Sequence, residues 1–461
     1  MIGRLKGRAG KIAYGAGNLG QALIYHMIGT FLIYFYIKEI RLDPALVGVG
    51  FSVAYGIWNS INDPIAGYIS DRTRTRWGRR IPYVLFGTPL MVIFFTLIWL
   101  PPIRDIPLSS QRDIGLFLYF LVVVGVFELL YTFVTVCWNS LFPEMFQDLK
   151  ERLEVSIYRQ VAAMIGLIIG FVVAPQIIYH FTREFGTING WALTGLVLGC
   201  IAGGSFALSL LGSREKKEFS MAGTLPIISA FKITLTNRSF ITAAFCILMI
   251  SWSWSLLAAI SPFFVEYFLG GTIADITFIS APILLMAIVF YPFWRKIGIK
   301  YGTKKTLITS YTLETVFVLL FVLVADNVIE AAAVMIFYGI TNSGVNLVRE
   351  ILIPDVIDED EVKTGFRREG IYLGVTTFID RFALGLTGIS TVIIFSLSGF
   401  TPGSTPPSPT IILNMRVLTA ALFTIALACF LIAMKFYPLS ADKVDEVRGA
   451  LEKLHRERGI V

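Results

Sequence analysis

The sequence predicts an all-α membrane protein with twelve transmembrane helices arranged in two six-helix bundles. Composition is the first reason: of 461 residues, 55% are hydrophobic and only 15% are charged, and the mean hydropathy is +0.72, far from the balance of a soluble domain. The second reason is a series of apolar runs, each long enough to cross a bilayer core, which takes roughly 20 residues. The third is a polar stretch, residues 212–237, that separates two groups of six runs.

The apolar runs are numbered as helices one to twelve in chain order. The first six are predicted at about 12–37, 44–70, 81–101, 114–141, 153–180 and 189–211. The second six are predicted at about 238–268, 274–297, 304–325, 329–354, 368–397 and 409–437.

This numbering divides the chain into four segments. They are a first bundle over 1–211, a cytoplasmic linker over 212–237, a second bundle over 238–437 and a cytoplasmic tail over 438–461. In the tail, Val444, Val447, Leu451 and Leu454 follow helical spacing between charged residues. That spacing predicts an amphipathic helix.

Internal similarity supports two related halves. Residues 77–80 (Trp-Gly-Arg-Arg), between helices two and three, resemble residues 301–305 (Tyr-Gly-Thr-Lys-Lys), between helices eight and nine. Residues 143–144 (Pro-Glu), after helix four, are matched by residues 354–355 (Pro-Asp), after helix ten. Parallel six-helix repeats of this kind are a known transporter architecture.

Basic residues predict the orientation in the membrane. If the N-terminus is cytoplasmic, the tails and even-numbered loops hold about 30 of the 39 Lys and Arg residues, and the outer loops hold about five. We therefore expect a multi-pass protein of the cell membrane with both termini in the cytoplasm. The net charge of +7 is explained by these loops, so no nucleic-acid partner is expected, and no cleavable signal peptide is evident.

The sequence does not predict an enzyme. Its four cysteines each fall in a different apolar run and its three histidines are scattered, so neither a disulfide nor a metal cluster is expected. A membrane-embedded enzyme would need a nucleophile, a base or a metal cluster, and no such grouping is visible. A sensor that does not transport is a further alternative, which uptake into vesicles would test.

Asp63 is the polar residue that most clearly indicates a site. It follows about twenty mostly apolar residues in helix two, and a carboxylate at that depth costs several kcal/mol. Asn59, Asn62 and Asp63 lie at i, i+3 and i+4 and share one helical face, and Thr132 of helix four could add a fourth oxygen. We predict a cation-coupling site of these four residues. The alternative is a structural pair between Asp63 and Arg159 or another buried base.

Two further polar stripes indicate a water-filled cavity rather than lipid contact. Helix four carries Glu128, Thr132, Thr135 and Asn139 at offsets of 0, 4, 7 and 11, and helix one carries a similar stripe. The alternative for each residue is a structural hydrogen bond, an ion pair or a lipid-facing anchor, and for Glu314 in helix nine structural pairing is the preferred interpretation. The predicted substrate-binding residues are Asn18, Gln21, Tyr25, Glu128, Thr135, Trp138, Arg159, Trp254, Arg349, Glu350, Asp380 and Arg381.

The loop after helix two contains a family signature. Gly67, Asp71, Arg72, Gly78, Arg79 and Arg80 match the pattern Gly-x-x-x-Asp-Arg-x-x-x-x-x-Gly-Arg-Arg of the major facilitator superfamily. More narrowly, the chain resembles the glycoside-pentoside-hexuronide cation symporters. The supporting segments are 14–18, 62–67, 131–132, 140–144, 152, 159, 355–358 and 363–370.

This resemblance implies a secondary transporter that works by alternating access as a monomer, with a small-molecule substrate, a sugar or glycoside, and no cofactor beyond a coupling ion. It also implies an ionic latch in the cytoplasmic loops of both halves. The latch residues are Gly67, Asp71, Arg72, Arg80, Glu144, Arg152, Asp355, Asp358, Lys363 and Arg368.

The chain departs from the resembled group at four positions. Asn59 stands where a second acid helps to coordinate sodium, so a proton is favoured over Na⁺ as the coupling ion at Asp63. Ala22 and Thr135 stand where sugar-binding carboxylates are expected, and Arg381 replaces a lysine. A lysolipid or another amphipathic molecule is therefore the alternative substrate.

Overall fold

The computed structural model describes residues 3, 5–102, 109–146, 149–215, 236–365, 369–401 and 407–457. Within these ranges all regular structure is helical. Most of the predicted linker lies outside the described residues, as does Arg368.

The first six predicted helices are present. Helix one consists of Gly7–Gly15, Gly17–Tyr34 and a π-helical turn at Phe35–Glu39, and helix two of Pro44–Phe51, a π-helical segment at Ser52–Trp58, and Asn59–Arg72. Helices three and four are Ile81–Ile98 and Ser110–Met145. Helix five consists of Leu149–Ile168, a π-helical turn at Ile169–Val173, and Ala174–Phe185, and helix six is Thr187–Gly212.

In the second group, helix seven is Arg238–Phe263 with a π-helical turn at Phe264–Phe268. A short 3₁₀ turn at Ile273–Asp275 precedes one long helical stretch, Ile276–Leu323, which contains helices eight and nine. Helices ten, eleven and twelve are Val328–Thr364, Glu369–Ser398 and Pro409–Phe436, and the tail forms Ala441–Glu457.

The described part contains eleven helical stretches that are long and apolar enough to cross a membrane, whereas the sequence predicts twelve. The numbers differ because the long stretch contains both helix eight and helix nine. Gly302 breaks it with a φ of 79°, a conformation that glycine adopts readily and other residues rarely. Helices eight and nine are therefore separate crossings. The all-α prediction with twelve apolar helices is confirmed.

Local sequence accounts for several helix starts. Asp43 precedes helix two and its carboxylate accepts a hydrogen bond of 2.7 Å from the amide of Ala45, while Pro44 occupies the first helical position. Ser408 and Pro409 repeat this arrangement at helix twelve. A capping side chain followed by proline is a strong start signal because proline at that position loses no hydrogen bond.

The chain divides into two compact units. The first comprises residues 1–223, 258–277 and 387–407, and the second comprises 224–257, 278–386 and 408–461. The first unit thus contains helices one to six with one end each of helices seven and eleven. The division at 212–237 that the sequence suggests remains a prediction.

The first unit is packed through small residues. A Cβ added to Gly20 would lie 2.7 Å from the carbonyl oxygen of Ala202 in helix six, and one added to Gly166 would lie 2.5 Å from that of Leu19. Backbones of helices one, five and six therefore approach closely, as glycine permits in membrane helices. Trp99 stacks on Trp191 nearby, with ring centroids 5.4 Å apart.

The second unit has a continuous apolar core that includes Phe240, Tyr311, Tyr372 and Phe430. The tail helix contributes Val444 to this core. His455 of the same tail helix lies 2.9 Å from the buried carboxylate of Glu361 at the end of helix ten. The amphipathic helix predicted for the tail is present and packs on the second unit.

The two predicted repeats share structural features within their own units. Gly78 and Gly302 both have positive φ, 113° and 79°. Glu144 pairs with both Arg79 and Arg80 of its loop, and Asp355 accepts a hydrogen bond of 3.3 Å from Thr303 of the equivalent loop. Each half therefore places an acidic residue, one position after a helical proline, against the loop that precedes its third or ninth helix.

Candidate functional site

Helices two and four meet through two buried hydrogen bonds. The amide of Asn59 donates to Glu128 over 3.1 Å, and the hydroxyl of Thr132 donates to the amide oxygen of Asn62, also over 3.1 Å. All four side chains are at most 3% exposed. The predicted cation-coupling face of helix two and the polar stripe of helix four therefore form one cluster.

Asp63 lies on this face, one residue after Asn62 and four after Asn59 in helix two. It is partly buried. Helix four adds the carboxylate of Glu128 to the same cluster, so this part of the first unit contains two acidic side chains. Carboxylate, amide and hydroxyl oxygens are the ligands that hard cations prefer.

Arg159 of helix five makes its contacts elsewhere in the first unit. Its guanidinium donates a hydrogen bond of 2.5 Å to the amide oxygen of Asn139. It also lies over the rings of Trp138 and Phe142, 4.8 Å from each centroid. No ion pair between described residues involves Arg159, so the structural pair with Asp63 considered from sequence is absent.

Arg159 is held beside the polar stripes of helices one and four. Asn18 donates a hydrogen bond of 3.0 Å to the backbone carbonyl of Arg159. Gln21 accepts a hydrogen bond of 3.4 Å from Asn139. The Nε atom of Arg159 is buried and has no hydrogen-bond partner among the described groups. A charged donor is therefore available for an anionic or polar ligand atom.

Other predicted substrate contacts of the first unit are placed differently. Tyr25 is 40% exposed. The hydroxyl of Thr135 donates to the carbonyl of Tyr131 in its own helix over 2.8 Å, which satisfies it locally. The structure therefore does not bring these two side chains into the cluster around Arg159.

Two of the predicted residues of the second unit contact each other. Arg349 of helix ten pairs with Asp380 of helix eleven, which also accepts a hydrogen bond of 2.6 Å from Ser251 of helix seven. Glu350 is exposed, and Trp254 stacks on Tyr338 with centroids 6.5 Å apart. One residue of each adjacent charge pair, Arg349 and Asp380, thus bonds across to another helix.

The predicted latch residues are only partly brought together. Arg80 and Glu144 form an ion pair of 2.5 Å, both about 10% exposed in their side chains. Arg72 instead lies over the ring of Tyr68, and Arg152 donates to the carbonyl of Phe146 over 2.7 Å. These two arginines therefore contact residues that are close to them in the sequence.

In the second unit, Asp355 pairs with Arg448 of the tail helix at 3.4 Å. Lys363 pairs with Glu359 one turn earlier in helix ten, at 2.5 Å. Asp358 is partly buried, Gly67 lies in helix two, and the side chain of Asp71 is outside the described part. The tail and helix ten therefore provide partners that the loop motifs did not indicate.

Sequence reasoning missed several residues of these groups. Arg79 pairs with Glu144, and the amide of Arg79 donates to Glu215 over 2.9 Å. Asn139 belongs to the helix-four stripe by its spacing but was not predicted as a site residue. Its offset of 11 from Glu128 is the signal that points to it.

A family model described as MFS/sugar transport protein matches residues 13–441, which is most of the chain. The chain belongs to the major facilitator superfamily. It is a multi-pass membrane transporter of the symporter type and not an enzyme.

Relatives of this superfamily member match it over nearly its whole length. An uncharacterized symporter of Synechocystis sp. is 26% identical, with 98% of this chain and 97% of that protein covered. The sodium-dependent lysophosphatidylcholine symporter 1 of Gallus gallus is 25% identical, covering 97% and 89%. An isoprimeverose transporter of Lactiplantibacillus pentosus is 22% identical, covering 98% and 92%.

Solved structures agree with the fold of the superfamily. A bacterial homolog of the human lysosomal transporter Spinster, in an inward-facing conformation, matches with a TM-score of 0.67 at 12% identity over 97% of both chains. The nucleoside transporter NupG matches with a TM-score of 0.66 at 13% identity, over 94% of this chain and all of that chain. At these identities the likeness describes the fold alone.

Proposed function

We propose that this protein is a cation-coupled symporter of a sugar or glycoside that works by alternating access as a monomer in the plasma membrane, with both termini cytoplasmic. The observation that carries the proposal is a cluster between helices two and four that is joined by two hydrogen bonds. It consists of the buried side chains of Asn59, Asn62, Glu128 and Thr132, with the partly buried Asp63 on the same face of helix two. A buried acid lowers the stability of a membrane protein, so its presence indicates a function.

Helix four connects the proposed coupling cluster with a second, ligand-binding cluster. Thr132 belongs to the first, and Asn139 belongs to the second with Arg159 and Gln21. Seven residues of α-helix separate Thr132 from Asn139, a rise of about 10 Å. Loading a cation at one level of helix four can therefore influence a substrate at the other through a rigid element.

The substrate proposal rests on the chemistry of the second cluster. Amide groups of Gln21 and Asn139, with the guanidinium of Arg159, offer hydrogen-bond donors and acceptors to hydroxyl groups. Trp138 lies beside them, fully buried. The isoprimeverose transporter among the relatives supports a sugar or glycoside.

A lysolipid is the second candidate substrate. Relatives named as lysophosphatidylcholine symporters align with 97% of this chain. The positive charge of Arg159 and its unpartnered Nε would suit a phosphate group. Ala22 and Thr135, where acids are expected in the sugar symporters, also favour this substrate.

The coupling ion proposed from sequence is a proton, because helix two carries one carboxylate on its face. Sodium is the second candidate, since the structure adds the carboxylate of Glu128 to that face. A second acid increases the negative charge available to a hard cation.

Uptake into proteoliposomes tests these proposals together. Purified protein would be offered labelled isoprimeverose or lysophosphatidylcholine under either an inward proton gradient or an inward sodium gradient. Proton-driven sugar uptake, with alkalinisation of the medium when substrate is added without a gradient, is the expected result. Uptake that is driven by sodium and causes no change in pH would show that sodium, and not a proton, is the coupling ion. Uptake of the lysolipid alone would show that a lysolipid, and not a sugar, is the substrate. No gradient-driven uptake of any tested substrate would contradict the symporter proposal.

A further inference from the structure

Glu314 of helix nine is a buried acid of the second unit, far in sequence from the proposed coupling cluster. Its side chain is 4% exposed. One carboxylate oxygen, Oε1, accepts a hydrogen bond of 3.0 Å from the hydroxyl of Tyr338 and one of 3.5 Å from the amide of Asn342, both in helix ten. These contacts are directed from helix nine to a neighbouring helix rather than to lipid.

The second carboxylate oxygen of Glu314, Oε2, is buried without a hydrogen-bond partner among the described groups. No ion pair between described residues involves this acid either. The titratable groups near it are Tyr338 of helix ten and Tyr311 of its own helix, with Cys246 and Cys429 beside Tyr311. None of these side chains supplies a positive charge.

An ionised carboxylate in such surroundings is expensive, because burial without a counter-charge penalises the charged form. A purely structural acid at this position would be expected to pair with a base, as Glu144 does with Arg80 in the first unit. Glu314 lacks that pair, and a neutral glutamine would satisfy Tyr338 and Asn342 at lower cost. These structural contacts therefore do not account for a carboxyl group at this position.

Helix ten connects this acid with a polar face of the second unit. Tyr338, Asn342 and Asn346 follow one another at intervals of four and share a helical face. The amide of Asn346 donates a hydrogen bond of 2.7 Å to the amide oxygen of Asn342, and Asn346 is partly exposed. Arg349, one turn further, pairs with Asp380.

We propose that Glu314 is a second proton-binding site, connected through the hydrogen-bonded amides of Asn342 and Asn346 to the polar face that carries Arg349 and Asp380. The ligand is a proton and the site is distinct from Asp63. Only its use in transport rests on the proposed function, since proton binding can be measured without transport.

The unpartnered oxygen Oε2 is where the proton would bind. A proton there makes Oε2 a donor and leaves Oε1 as the carbonyl oxygen that accepts from Tyr338 and Asn342. Asn342 in turn accepts from Asn346, so the hydrogen-bonded amides stay connected to the acid in either protonation state.

Infrared difference spectroscopy between acidic and alkaline pH tests the proposal on the purified full-length protein in detergent, without substrate or gradient. A protonated carboxyl group has a C=O stretching band that a carboxylate lacks. The wild type should show a titrating band of a buried carboxyl group, and Glu314→Gln should lose it. Asp63→Asn should retain that band, as should Glu446→Gln, a control in the tail helix whose side chain is 67% exposed.

A second variant decides the outcome even if Glu314→Gln does not fold. Tyr338→Phe removes the hydroxyl that donates to Oε1, so the band should remain and shift to higher frequency. The proposal is overturned by an unchanged spectrum in Glu314→Gln, by the absence of a shift in Tyr338→Phe, or by loss of the wild-type band when sodium is added at constant pH. The last result would identify a sodium site instead. Failure of gradient-driven uptake would leave the spectra, and hence this site, untouched.

Discussion

Asn59 of helix two donates a hydrogen bond of 3.1 Å to Glu128 of helix four, and both side chains are at most 3% exposed. Asn59 stands at a position where the sugar symporters that the chain resembles have an acid. Glu128 is an acid that the resemblance does not predict. The negative charge absent from helix two is therefore present on helix four. The two carboxylates of the proposed coupling cluster therefore come from two helices rather than from helix two alone.

Glu128→Gln should weaken cation-driven accumulation. The change removes one carboxylate from the cluster and keeps the shape of the side chain, and a hydrogen bond to a charged group contributes about 1.5–3 kcal/mol. We expect a loss of roughly 10-fold to 100-fold in apparent cation affinity, from that energy. Initial uptake rates measured against proton or sodium concentration give the result.

The matched control for that change is Glu330→Gln at the start of helix ten, where the acid lies near the capping residue Asn327. It should leave cation affinity unchanged. Equal effects of the two substitutions would show that Glu128 is not part of the coupling cluster.

Arg159→Lys should weaken substrate binding while preserving the charge. The guanidinium contacts two aromatic rings and Asn139 at once, and a lysine ammonium cannot reproduce that planar geometry. We expect the substrate Kd to rise about 10-fold or more, since a charge-assisted hydrogen bond and a cation–π contact are both altered. Isothermal titration on purified protein is the measurement.

Arg183→Lys provides the control for the arginine prediction. Arg183 also lies over an aromatic ring, that of Tyr179, but it is exposed. Substrate affinity should not change in this variant. Unaltered affinity in Arg159→Lys would show that the substrate binds elsewhere.

Gly212→Val should destabilise the first unit. A Cβ at Gly212 would lie 2.1 Å from the carbonyl oxygen of Gly10, so the backbones of helices one and six would have to separate. Overpacking of this kind costs about 1–3 kcal/mol, and the midpoint of thermal unfolding in detergent should fall. Gly204→Val in the same helix has open space around its Cβ and should unfold like the wild type. An equal midpoint for both variants would contradict the close approach.

Glu144→Gln should also lower thermal stability. Glu144 pairs with Arg79 and Arg80, and removal of its charge leaves two largely buried guanidinium groups less well compensated. A loss of about 1–3 kcal/mol is expected for poorly satisfied buried groups. Glu446→Gln, which disrupts an exposed pair with Lys443, should have little effect. If the two variants unfold at the same temperature, the pair in the first unit contributes nothing.

The helices could be predicted from sequence because lipid imposes one simple rule: each crossing must be a long apolar helix that satisfies its own backbone. The sequence predicts a break between helices eight and nine around Gly302, and the structure has a non-helical backbone there, with a φ of 79° at Gly302 and helix on both sides. Helix pattern alone does not reveal whether the chain unwinds between two crossings. A single glycine with positive φ is enough to separate them.

The candidate site was predictable in part. Helical spacing identified the face of Asn59, Asn62 and Asp63, since residues three and four apart share a side. The partner of each polar residue was not predictable, because contacts between helices depend on rotation and packing. Glu128 contacts Asn59 for that reason, and Arg159 contacts Asn139 rather than an acid.

The contacts of Glu314 were also not predictable from the sequence. A lone acid in an apolar helix suggests a structural partner, and no base is near it in the sequence. The structure gives it hydroxyl and amide donors from helix ten instead. Only the packed arrangement distinguishes an acid held by neutral groups from one held by a base.

The most direct test of the coupling proposal is Asp63→Asn in proteoliposomes, measured for gradient-driven accumulation and for substrate binding on the same preparation. The account predicts that accumulation is abolished while binding remains detectable, because the carboxylate that loads the cation is lost and the cluster around Arg159 is intact. Accumulation at the wild-type level in Asp63→Asn would contradict it.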